Sequence, residues 1–388
     1  MSYIDDIHHL VNETNFSLNN VNNSLPNALR RVIISEVKTV GFRYHETSSD
    51  IKVISNTSKF HNEFIAHRIS MIPIHGADPS EFDINKYKFV INKKNTTNKV
   101  IYVTSNDFEV YEKDEQEQWV LNKEKSKVFF KENKLSNDYI LICVLKESSL
   151  DEGQEIHLEC TASISNGLEN IHYSPVCKCV LFNKIDKQLY KSKLDQLLIG
   201  KNPDEIDKIT KNFNYLDSER CFKKDNDGEP YQFTFSIENI GTYTNDKIFD
   251  TSINLLIEKI ELFNSKIQED KLDIDFSEET DFKAVDIKMP DENHTLGNLM
   301  QSYLYKYFVL EQQKLSFVGY DKSHPLDNYI TLRVSFIEDK SDTLLIYKQK
   351  IKEIVLETVV NLKGILETIQ QEWNQKYKTN KKISVKKK

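Results

Sequence analysis

Two short patterns carry residue types that are able to bind metal ions. Cys177 and Cys179 flank a single lysine, and thiolates at such short spacing supply half of the ligands in many zinc sites. No second pair of Cys or His follows at ligand spacing, so we favour the alternative, two thiols on one face of a strand. Asp273 and Asp275 also stand two residues apart, but they fall in a stretch that we expect to be a linker. The sequence therefore predicts no metal site.

The motifs of common enzymes are missing from the sequence. It contains no glycine-rich phosphate loop, no aspartate cluster for two magnesium ions, no HExxH and no GxSxG. His67 and Arg68 lie inside an apolar run, where we expect them to form an internal polar pair with a structural role. We therefore predict a protein with no catalytic residues of its own and no cofactor.

Composition narrows the class of protein further. The 388 residues suffice for two or three domains, and the formal net charge is −8, which makes unaided binding of nucleic acid a poor prediction. The N-terminus lacks the basic and apolar regions of a signal peptide, and no apolar run is long enough to span a membrane. Five cysteines at irregular spacing indicate reduced thiols in a cytosolic or nuclear setting.

A helix entrance occurs twice in the chain. Residues 24–29 read SLPNAL and residues 295–300 read TLGNLM, and each stretch leads into apolar residues at helical spacing. Ser and Thr are good N-cap residues, so we expect helices to begin at Ser24 and Thr295. A Val-Gly-aromatic strand element accompanies each copy, at 40–42 and 318–320. These matches indicate a long internal repeat.

Each half of the repeat ends in a long helix with an apolar seam. The spacing predicts one helix over about 246–267 and another over about 341–376. The first seam consists of Phe249, Ile253, Leu256, Ile260, Phe263 and Ile267. The second consists of Ile351, Val355, Leu362, Ile365, Ile369 and Trp373, with Thr358 as an interruption. Seams of this kind pair with each other, because leaving them in water exposes many apolar side chains.

These patterns predict an α+β fold in which two dimerisation modules of one chain form a pseudo-two-fold intramolecular dimer. The first module comprises 1–45 and 231–267, and the second comprises 283–377. Residues 46–230 read mostly as short strands, KVFF at 127–130 among them, and form a β-rich insertion in the first module. A linker at 268–282 and a basic tail at 378–388 complete the expected organisation. Because the seams are satisfied within the chain, we expect a monomer and no homodimer.

Several segments resemble two related families of RNA polymerase subunits. The runs SLPNALRRVIISEV, NEFIAHRISMIPI and YSPV resemble the third-largest subunit of eukaryotic RNA polymerase II, whose relatives are the D-type subunits of archaea and the bacterial alpha subunit. The runs DENHTLGNLMQSYLYK and LSFVGYDKSHPLDNYITLRV resemble the eleventh-subunit family, whose archaeal relatives are the L-type subunits. Fusions of the two are known from polymerases of large nucleocytoplasmic DNA viruses.

The resemblance implies a non-catalytic platform for polymerase assembly with alpha-like modules. Its implied partners are the two largest catalytic subunits and a small zinc-binding subunit, with DNA and RNA reached only through the complex and no membrane contact. The implied location is intracellular: the host cytoplasm and the virion for a virus, otherwise the nucleus. Residues 75–100 contain no Cys where relatives carry metal loops, so we predict no zinc or iron–sulfur cluster here. A free-standing dimeric transcription regulator or adaptor remains the alternative.

The resemblance also assigns residues to roles. The paired first helices would contribute Leu25, Asn27, Leu29, Val32, Ile33, Leu296, Gly297, Asn298, Leu299 and Tyr303 to the dimer interface. We expect Asn27 and Asn298 to bond the backbone or the opposite half. Contact with the large subunits would involve Arg30, Arg31, Gly167, Tyr173, Ser174 and Pro175, although Ser165 and Asn170 depart from the family's loop pattern. His67 and Arg68 would brace the joint with the insertion, and His294 would help the second helix entrance.

Overall fold

A computed structural model describes residues 2–45, 47–134, 136–147, 153–226, 228–280, 282–337 and 343–386. The chain forms two compact units. The first unit draws on Met1–Ile33, Lys178–Glu238 and Asn245–Lys388, and the second on Ile34–Cys177 and Asn239–Thr244. Within the described residues, no helix is both long enough and apolar enough to cross a bilayer.

The regular elements alternate between strands and helices along the chain. The described strands are β1 (Ile4–His9), β2 (Glu13–Asn19), β3 (Thr39–Gly41), β4 (Ile51–Asn56), β5 (Tyr87–Lys94), β6 (Ile101–Thr104), β7 (Glu109–Lys113), β8 (Trp119–Leu121), β9 (Leu141–Leu145), β10 (Glu155–Cys160), β11 (Ser163–Ser165), β12 (Val176–Asn183), β13 (Gln232–Asn239), β14 (Ile274–Phe276), β15 (Val285–Pro290), β16 (Leu315–Asp321) and β17 (Tyr329–Phe336). The described α-helices are α1 (Ser24–Ser35), α2 (Asn62–Ser70), α3 (Lys123–Phe129), α4 (Lys187–Leu198), α5 (Pro203–Leu216), α6 (Asn245–Gln268), α7 (His294–Leu304) and α8 (Leu344–Lys386). A π-helical segment, Tyr305–Glu311, continues α7.

The first compact unit contains two sheets with the same topology. One sheet has the strand order β1-β2-β13-β12, and the other has the order β14-β15-β17-β16. In each case two strands precede a helix, two further strands follow it, and a long helix closes the set. From here on, the first module denotes β1, β2, α1, β12, β13 and α6, and the second module denotes β14 to β17, α7 and α8. The repeat is therefore a repeat of complete folding motifs.

Alternating burial explains why the central strands of the first module lie on its helices. Phe233, Phe235 and Ile237 of β13 are buried at every second position, which is the period of a strand with one apolar face. Strand β13 pairs antiparallel with β2, and Phe235 stands opposite Phe16 in the register. Their rings stack with centroids 5.2 Å apart, so the pair joins the two central strands on the face that the helices cover.

The second compact unit, called the insertion below, holds a separate core. Its largest sheet has the order β4-β10-β5-β7-β8, and the unit also contains the two-stranded sheets β3-β11 and β6-β9. An aromatic cluster fills the centre, with Phe42 stacked on Phe108 at 5.7 Å and Phe108 stacked on Phe130 at 4.5 Å. Burial of several aromatic side chains gives this unit its own apolar core.

Four strands of the first unit differ from the sequence prediction. Strands β1 and β2 were not predicted, since Asp6 has a positive φ of 52° and a register shift between Asp5 and His8 breaks the alternation of β1. Strand β14 falls inside the expected linker at 268–282 and forms the edge of the second sheet. Strand β12 belongs to the first module, although the sequence placed it in the insertion.

Three further elements also differ. The KVFF run at 127–130 lies mostly in α3, because the side chain of Asn122 caps a helix that begins at Lys123. The Val-Gly-Phe strand at 40–42 contributes to the β3-β11 pair of the insertion, so it is not the counterpart of residues 318–320, which lie in β16. Helix α8 continues to Lys386, through most of the expected tail, and Lys387 and Lys388 lie outside the described residues.

Candidate interface between the two modules

The same asparagine hydrogen bond occurs at the start of both first helices, although α1 begins at Ser24 as predicted and α7 begins at His294, one residue before the predicted Thr295. The Oδ1 atom of Asn22 accepts a hydrogen bond from the Ser24 N–H at 2.9 Å, and the Oδ1 atom of Asn293 accepts one from the Thr295 N–H at 2.8 Å. An asparagine at this place satisfies an N–H group that the helix itself leaves free. The shared entrance is therefore Asn-x-Ser/Thr, and its asparagine was not predicted from the sequence.

The two first helices contact each other across the modules. The Nε atom of Arg31 on α1 donates a hydrogen bond to Thr295 Oγ1 on α7, with 2.7 Å between the atoms. The Tyr303 hydroxyl hydrogen-bonds with the backbone of Asn22, and burial raises the pKa of Tyr303. The apolar side chains beneath these bonds are fully buried, namely Leu25, Leu29, Val32, Ile33, Leu296 and Leu299. Helices α1 and α7 thus form one part of the interface.

The polar contacts of the two helix entrances are unequal. Thr295 Oγ1 accepts a hydrogen bond from the Arg31 guanidinium, whereas the buried Ser24 hydroxyl has no hydrogen-bond partner among the described residues. The position that corresponds to Arg31 is occupied by Ser302, whose side chain is much shorter. The pseudo-symmetry of the interface is therefore approximate at this point.

The closing helices α6 and α8 form the second part of the interface and run antiparallel. Gln268 near the end of α6 donates to the Lys352 carbonyl of α8 at 3.0 Å. Gln370 near the other end of the seam donates to Asp250 Oδ1 at 2.9 Å. Between them, Lys363 Nζ lies 2.6 Å from Glu261 Oε1. Along the seam the residue numbers of the contacts increase on α8 while they decrease on α6, so the two helices are antiparallel.

The seam of α6 is buried as predicted from its spacing, and the seam of α8 needs two corrections. Leu366 is fully buried and Ile365 only partly, so Leu366 occupies the seam position assigned to Ile365. Thr358 does not interrupt the seam, because it is fully buried and its hydroxyl donates to the Ile354 carbonyl at 2.8 Å. That internal hydrogen bond makes a buried threonine acceptable. The other buried seam residues are Phe249, Ile253, Leu256, Ile260, Phe263, Ile267, Ile351, Val355, Leu362, Ile369 and Trp373.

The far end of α8 packs on the sheet of the first module. The Trp373 ring lies 4.8 Å from Phe16 and 4.6 Å from Phe249, measured between centroids. Glu372, on the preceding position, accepts hydrogen bonds from the backbone N–H groups of Tyr3 and Ile4 at 3.0 and 3.1 Å. Since β1 is an edge strand, Glu372 satisfies donors that the sheet leaves open.

Several residues assigned to the helix interface contact their own module. A Cβ atom on Gly297 would lie 2.6 Å from Tyr320 Cδ2, so this glycine allows α7 to pack on its own sheet. The Asn27 side chain accepts hydrogen bonds from Arg30 Nε and Nη2 at 3.1 and 2.9 Å. The predicted bond from Asn27 to the backbone or to the opposite half is not seen within the described residues. No such bond is seen for Asn298 within the described residues. His294 packs edge-on against Tyr320, and Asn293 caps the helix instead.

The loop assigned to large-subunit contact is held in place by several bonds, but its exposed residues differ from the assigned ones. Tyr173, Ser174 and Pro175 are buried, so their side chains support the loop from below. Leu168 and Ile171 are 62% and 61% exposed. Arg43 holds Glu169 of this loop through two hydrogen bonds of 2.7 and 3.1 Å. A Cβ atom on Gly167 would approach the Ile34 carbonyl to 2.5 Å, so no larger residue fits there.

His67 and Arg68 both lie on α2 and make contacts within the insertion. The Arg68 Nη2 atom donates to the Leu141 carbonyl at 2.5 Å. Its guanidinium also lies over the rings of Phe60 and Phe64, at 6.0 and 5.8 Å. The His67 ring stands edge-on to Tyr44. His67 is exposed and Arg68 is half-buried, so the two residues do not form the internal polar pair that the sequence predicted. The contacts described for both residues lie within this unit.

The cysteine pair shows no metal-site geometry. Both cysteines lie in β12, two residues apart as on one face of a strand, but Cys177 is exposed and Cys179 is buried. Burial raises the pKa of the Cys179 thiol to about 12, which disfavours the thiolate that a metal requires. Among the residues that the structure describes, no three His, Cys, Asp or Glu side chains are grouped closely enough to hold a metal ion.

One known protein family matches both modules of the chain. The RNA polymerase Rpb3/Rpb11 dimerisation domain family matches residues 15–260 and, separately, residues 284–372. The protein rpac1 of DNA-directed RNA polymerases I and III from Dictyostelium discoideum is 28% identical over 292 residues, which cover 66% of this chain and 79% of the relative. The RNA polymerase II protein RPB3 of Schizosaccharomyces pombe is 23% identical over 286 residues, covering 67% and 85%.

A third relative carries a name of another kind. The conjugation stage-specific protein of Tetrahymena thermophila is 24% identical over 292 residues, covering 66% of this chain and 91% of the relative. The larger family match spans more than half of the 388 residues and overlaps both pieces of the first module. The chain therefore belongs to the RNA polymerase Rpb3/Rpb11 dimerisation domain family and contains two such domains.

Proposed function

We propose that this protein is the non-catalytic platform on which the two largest catalytic subunits of a DNA-directed RNA polymerase assemble. The observation that carries the proposal is the closed pair of modules within one chain. In this arrangement α1 contacts α7 and α6 contacts α8. Two separate polypeptides would have to associate to form the same pair, whereas here one chain forms it by folding. A preformed pair offers its outer surface to further subunits without an association step of its own.

The loop around residue 168 is our proposed contact with one of the large subunits. Its two exposed apolar side chains, Leu168 and Ile171, stand on a base held by the Arg43–Glu169 ion pair. The Leu168 N–H also donates to the Ser35 carbonyl at 3.0 Å, which fixes the loop against the end of α1. A rigid loop loses little conformational entropy on binding, so two exposed apolar residues there suit an apolar pocket of a partner. Arg30, a half-buried cation on α1, is a separate proposed contact with a large subunit.

The remaining partners follow from the same proposal. A small zinc-binding polymerase subunit joins the complex, and DNA and RNA are contacted only through the large subunits. The protein acts inside the cell, in the host cytoplasm and the virion if it comes from a virus with fused subunits, and otherwise in the nucleus. No reaction is assigned to this chain itself.

Affinity purification of the tagged chain from its native source tests the proposal. We expect two much larger subunits to co-purify in equal amount with this chain. Leu299→Asp should abolish their recovery, because a charge replaces a fully buried side chain of α7 that we assign to the module interface. Leu345→Asp is the matched control, since Leu345 is 78% exposed, and it should leave recovery unchanged.

Two results would contradict the platform function. Recovery of the chain without large subunits would remove its main support, and so would full recovery with Leu299→Asp. A purified wild-type chain that alone shifts DNA at about 150 mM salt would instead favour a free-standing regulator, since exposed charge contacts are already weakened at that ionic strength.

A further inference from the structure

The closing helices α6 and α8 carry their buried residues at matching positions. The spacing between successive seam residues is the same in the two helices over most of their paired length. The corresponding pairs are Phe249 with Ile351, Ile253 with Val355, Leu256 with Thr358, Ile260 with Leu362 and Ile267 with Ile369. Residues that directly follow a corresponding pair therefore also correspond to each other.

The cross-helix amide bonds support this correspondence. Gln268 and Gln370 follow one corresponding pair, and Asp250 and Lys352 follow another. Gln268 donates to the Lys352 carbonyl at 3.0 Å, and Gln370 donates to Asp250 Oδ1 at 2.9 Å. The pseudo-two-fold axis thus relates one bond to the other, with a backbone acceptor in the first and a side-chain acceptor in the second.

Glu261 and Lys363 are counterparts of each other and also form an ion pair. They follow Ile260 and Leu362, and Lys363 Nζ lies 2.6 Å from Glu261 Oε1. Lys363 lies 3.8 Å from Glu367 of its own helix as well. A residue that contacts its own counterpart lies beside the pseudo-axis. A pair of two first modules would therefore place Glu261 against Glu261, and a pair of two second modules would place Lys363 against Lys363.

A second ion pair would also be replaced by like charges if two first modules paired. Lys352 Nζ lies 2.7 Å from Asp270 Oδ2, just beyond the end of α6. The counterpart of Lys352 is Asp250, so a pair of two first modules would bring Asp250 beside Asp270. Like charges at these positions oppose the pairing, whereas the observed pairing joins opposite charges at both.

We infer that Glu261 and Lys363, supported by Asp270 and Lys352, make the first module select the second module in preference to another copy of itself. Corresponding apolar seams discriminate weakly between partners, while charges beside a helix seam set partner choice. The inference concerns the pairing of the modules and stands independently of the proposed polymerase function. It assigns a specificity role to an exposed ion pair, in which the Lys363 side chain is 40% exposed and the Glu261 side chain is 46% exposed.

Charge reversal in the full chain tests this inference, because each single variant reproduces one of the wrong pairings. Lys363→Glu creates the Glu–Glu contact of two first modules, and Glu261→Lys creates the Lys–Lys contact of two second modules. We expect each to lower the melting temperature by about 2 °C. The double variant restores opposite charges in exchanged positions and should regain at least half of the combined loss.

Salt and a control pair make the test specific. The losses should shrink in about 1 M salt, where exposed charges are screened. Asp207 and Lys211 form an exposed ion pair within α5, 2.9 Å apart, and exchanging their charges should change the melting temperature by less than about 1 °C. Single variants that melt like the wild type would overturn the inference. So would a double variant that loses as much as both single variants together.

Discussion

At the residue scale, the second module depends on a close approach at Gly297. A Cβ atom there would lie 2.6 Å from Tyr320 Cδ2 and 2.8 Å from Ile330 Cδ1, and the aromatic ring cannot move aside without disturbing β16. Gly364 lies in the middle of α8, and a Cβ atom there would meet no atom within 4 Å. Close packing therefore requires a glycine at position 297 but not at position 364.

We expect Gly297→Ala and Gly364→Ala to change stability in opposite directions. The first should lower the free energy of unfolding by about 1–3 kcal/mol through overpacking. The second should raise it by about 0.5–1 kcal/mol, since alanine loses less backbone entropy than glycine in a helix. Urea unfolding of both variants beside the wild type measures the difference. A stabilised Gly297→Ala variant would show that α7 does not pack on its sheet as described.

The burial of many proposed interface residues could be predicted from the sequence, and the failures have local causes. Leu25, Leu29 and Leu299 follow from helical spacing alone and are fully buried. The capping residues Asn22 and Asn293 were missed, because a single asparagine carries little signal in an Asn-rich chain. Their recurrence two residues before each Ser or Thr was the signal that could have identified them.

At the scale of elements, the end of α8 holds the N-terminal strand through Glu372. Its carboxylate accepts hydrogen bonds from Ser2 Oγ and from the N–H groups of Tyr3 and Ile4, and lies 3.4 Å from Lys376 Nζ. Partial burial acts to raise the pKa of Glu372, but the hydrogen bonds from Ile4, Ser2 and Tyr3 outweigh it, and the pKa falls below its usual 4.5. A lowered pKa in the folded state means that the charged form stabilises the fold.

Glu372→Gln should therefore destabilise the protein at neutral pH and matter less in acid. We expect the variant to lose about 1–3 kcal/mol of unfolding free energy at about pH 7, where the wild-type carboxylate is fully charged. The wild-type advantage is present above pH 4.5 and is lost as the pH falls below it, through the lowered pKa. Urea unfolding of both proteins across this range provides the measurement. A difference that stays constant with pH would contradict the role of the charge.

The sequence predicts helices better than it predicts strands in this chain. Helices α6 and α8 carry long apolar periods that need no distant partner to be recognised. In α8 the buried residues Ile351, Leu362 and Trp373 recur at equal spacings, and their period is slightly longer than that of a heptad repeat. A heptad pattern therefore places Ile365 in the seam, whereas the structure places Leu366 there. Strands β1 and β14 lie at sheet edges with charged residues, and their pairing depends on segments far away in the chain.

At the scale of the whole molecule, one chain contains two modules of equal topology that close on each other. The repeat predicted from the two helix entrances is confirmed by two separate family matches, although its true unit includes strands that the sequence did not indicate. Positions 40–42 and 318–320 suggested a correspondence that the topology does not support, since a short Val-Gly-aromatic string is a weak signal by itself. Because the two modules pair within the chain, we expect a monomer of 45.5 kDa in solution.

Zero-length carbodiimide cross-linking of a mixture of ¹⁴N- and ¹⁵N-labelled chains tests the intramolecular pairing most directly. The reagent joins a carboxylate to an amine only when the two are in contact, as in Lys363–Glu261 at 2.6 Å and Lys352–Asp270 at 2.7 Å. The account predicts both cross-links, each between peptides carrying the same isotope, in a product with the mass of one chain. Absence of both cross-links, or cross-linked peptides of mixed isotope, would contradict it.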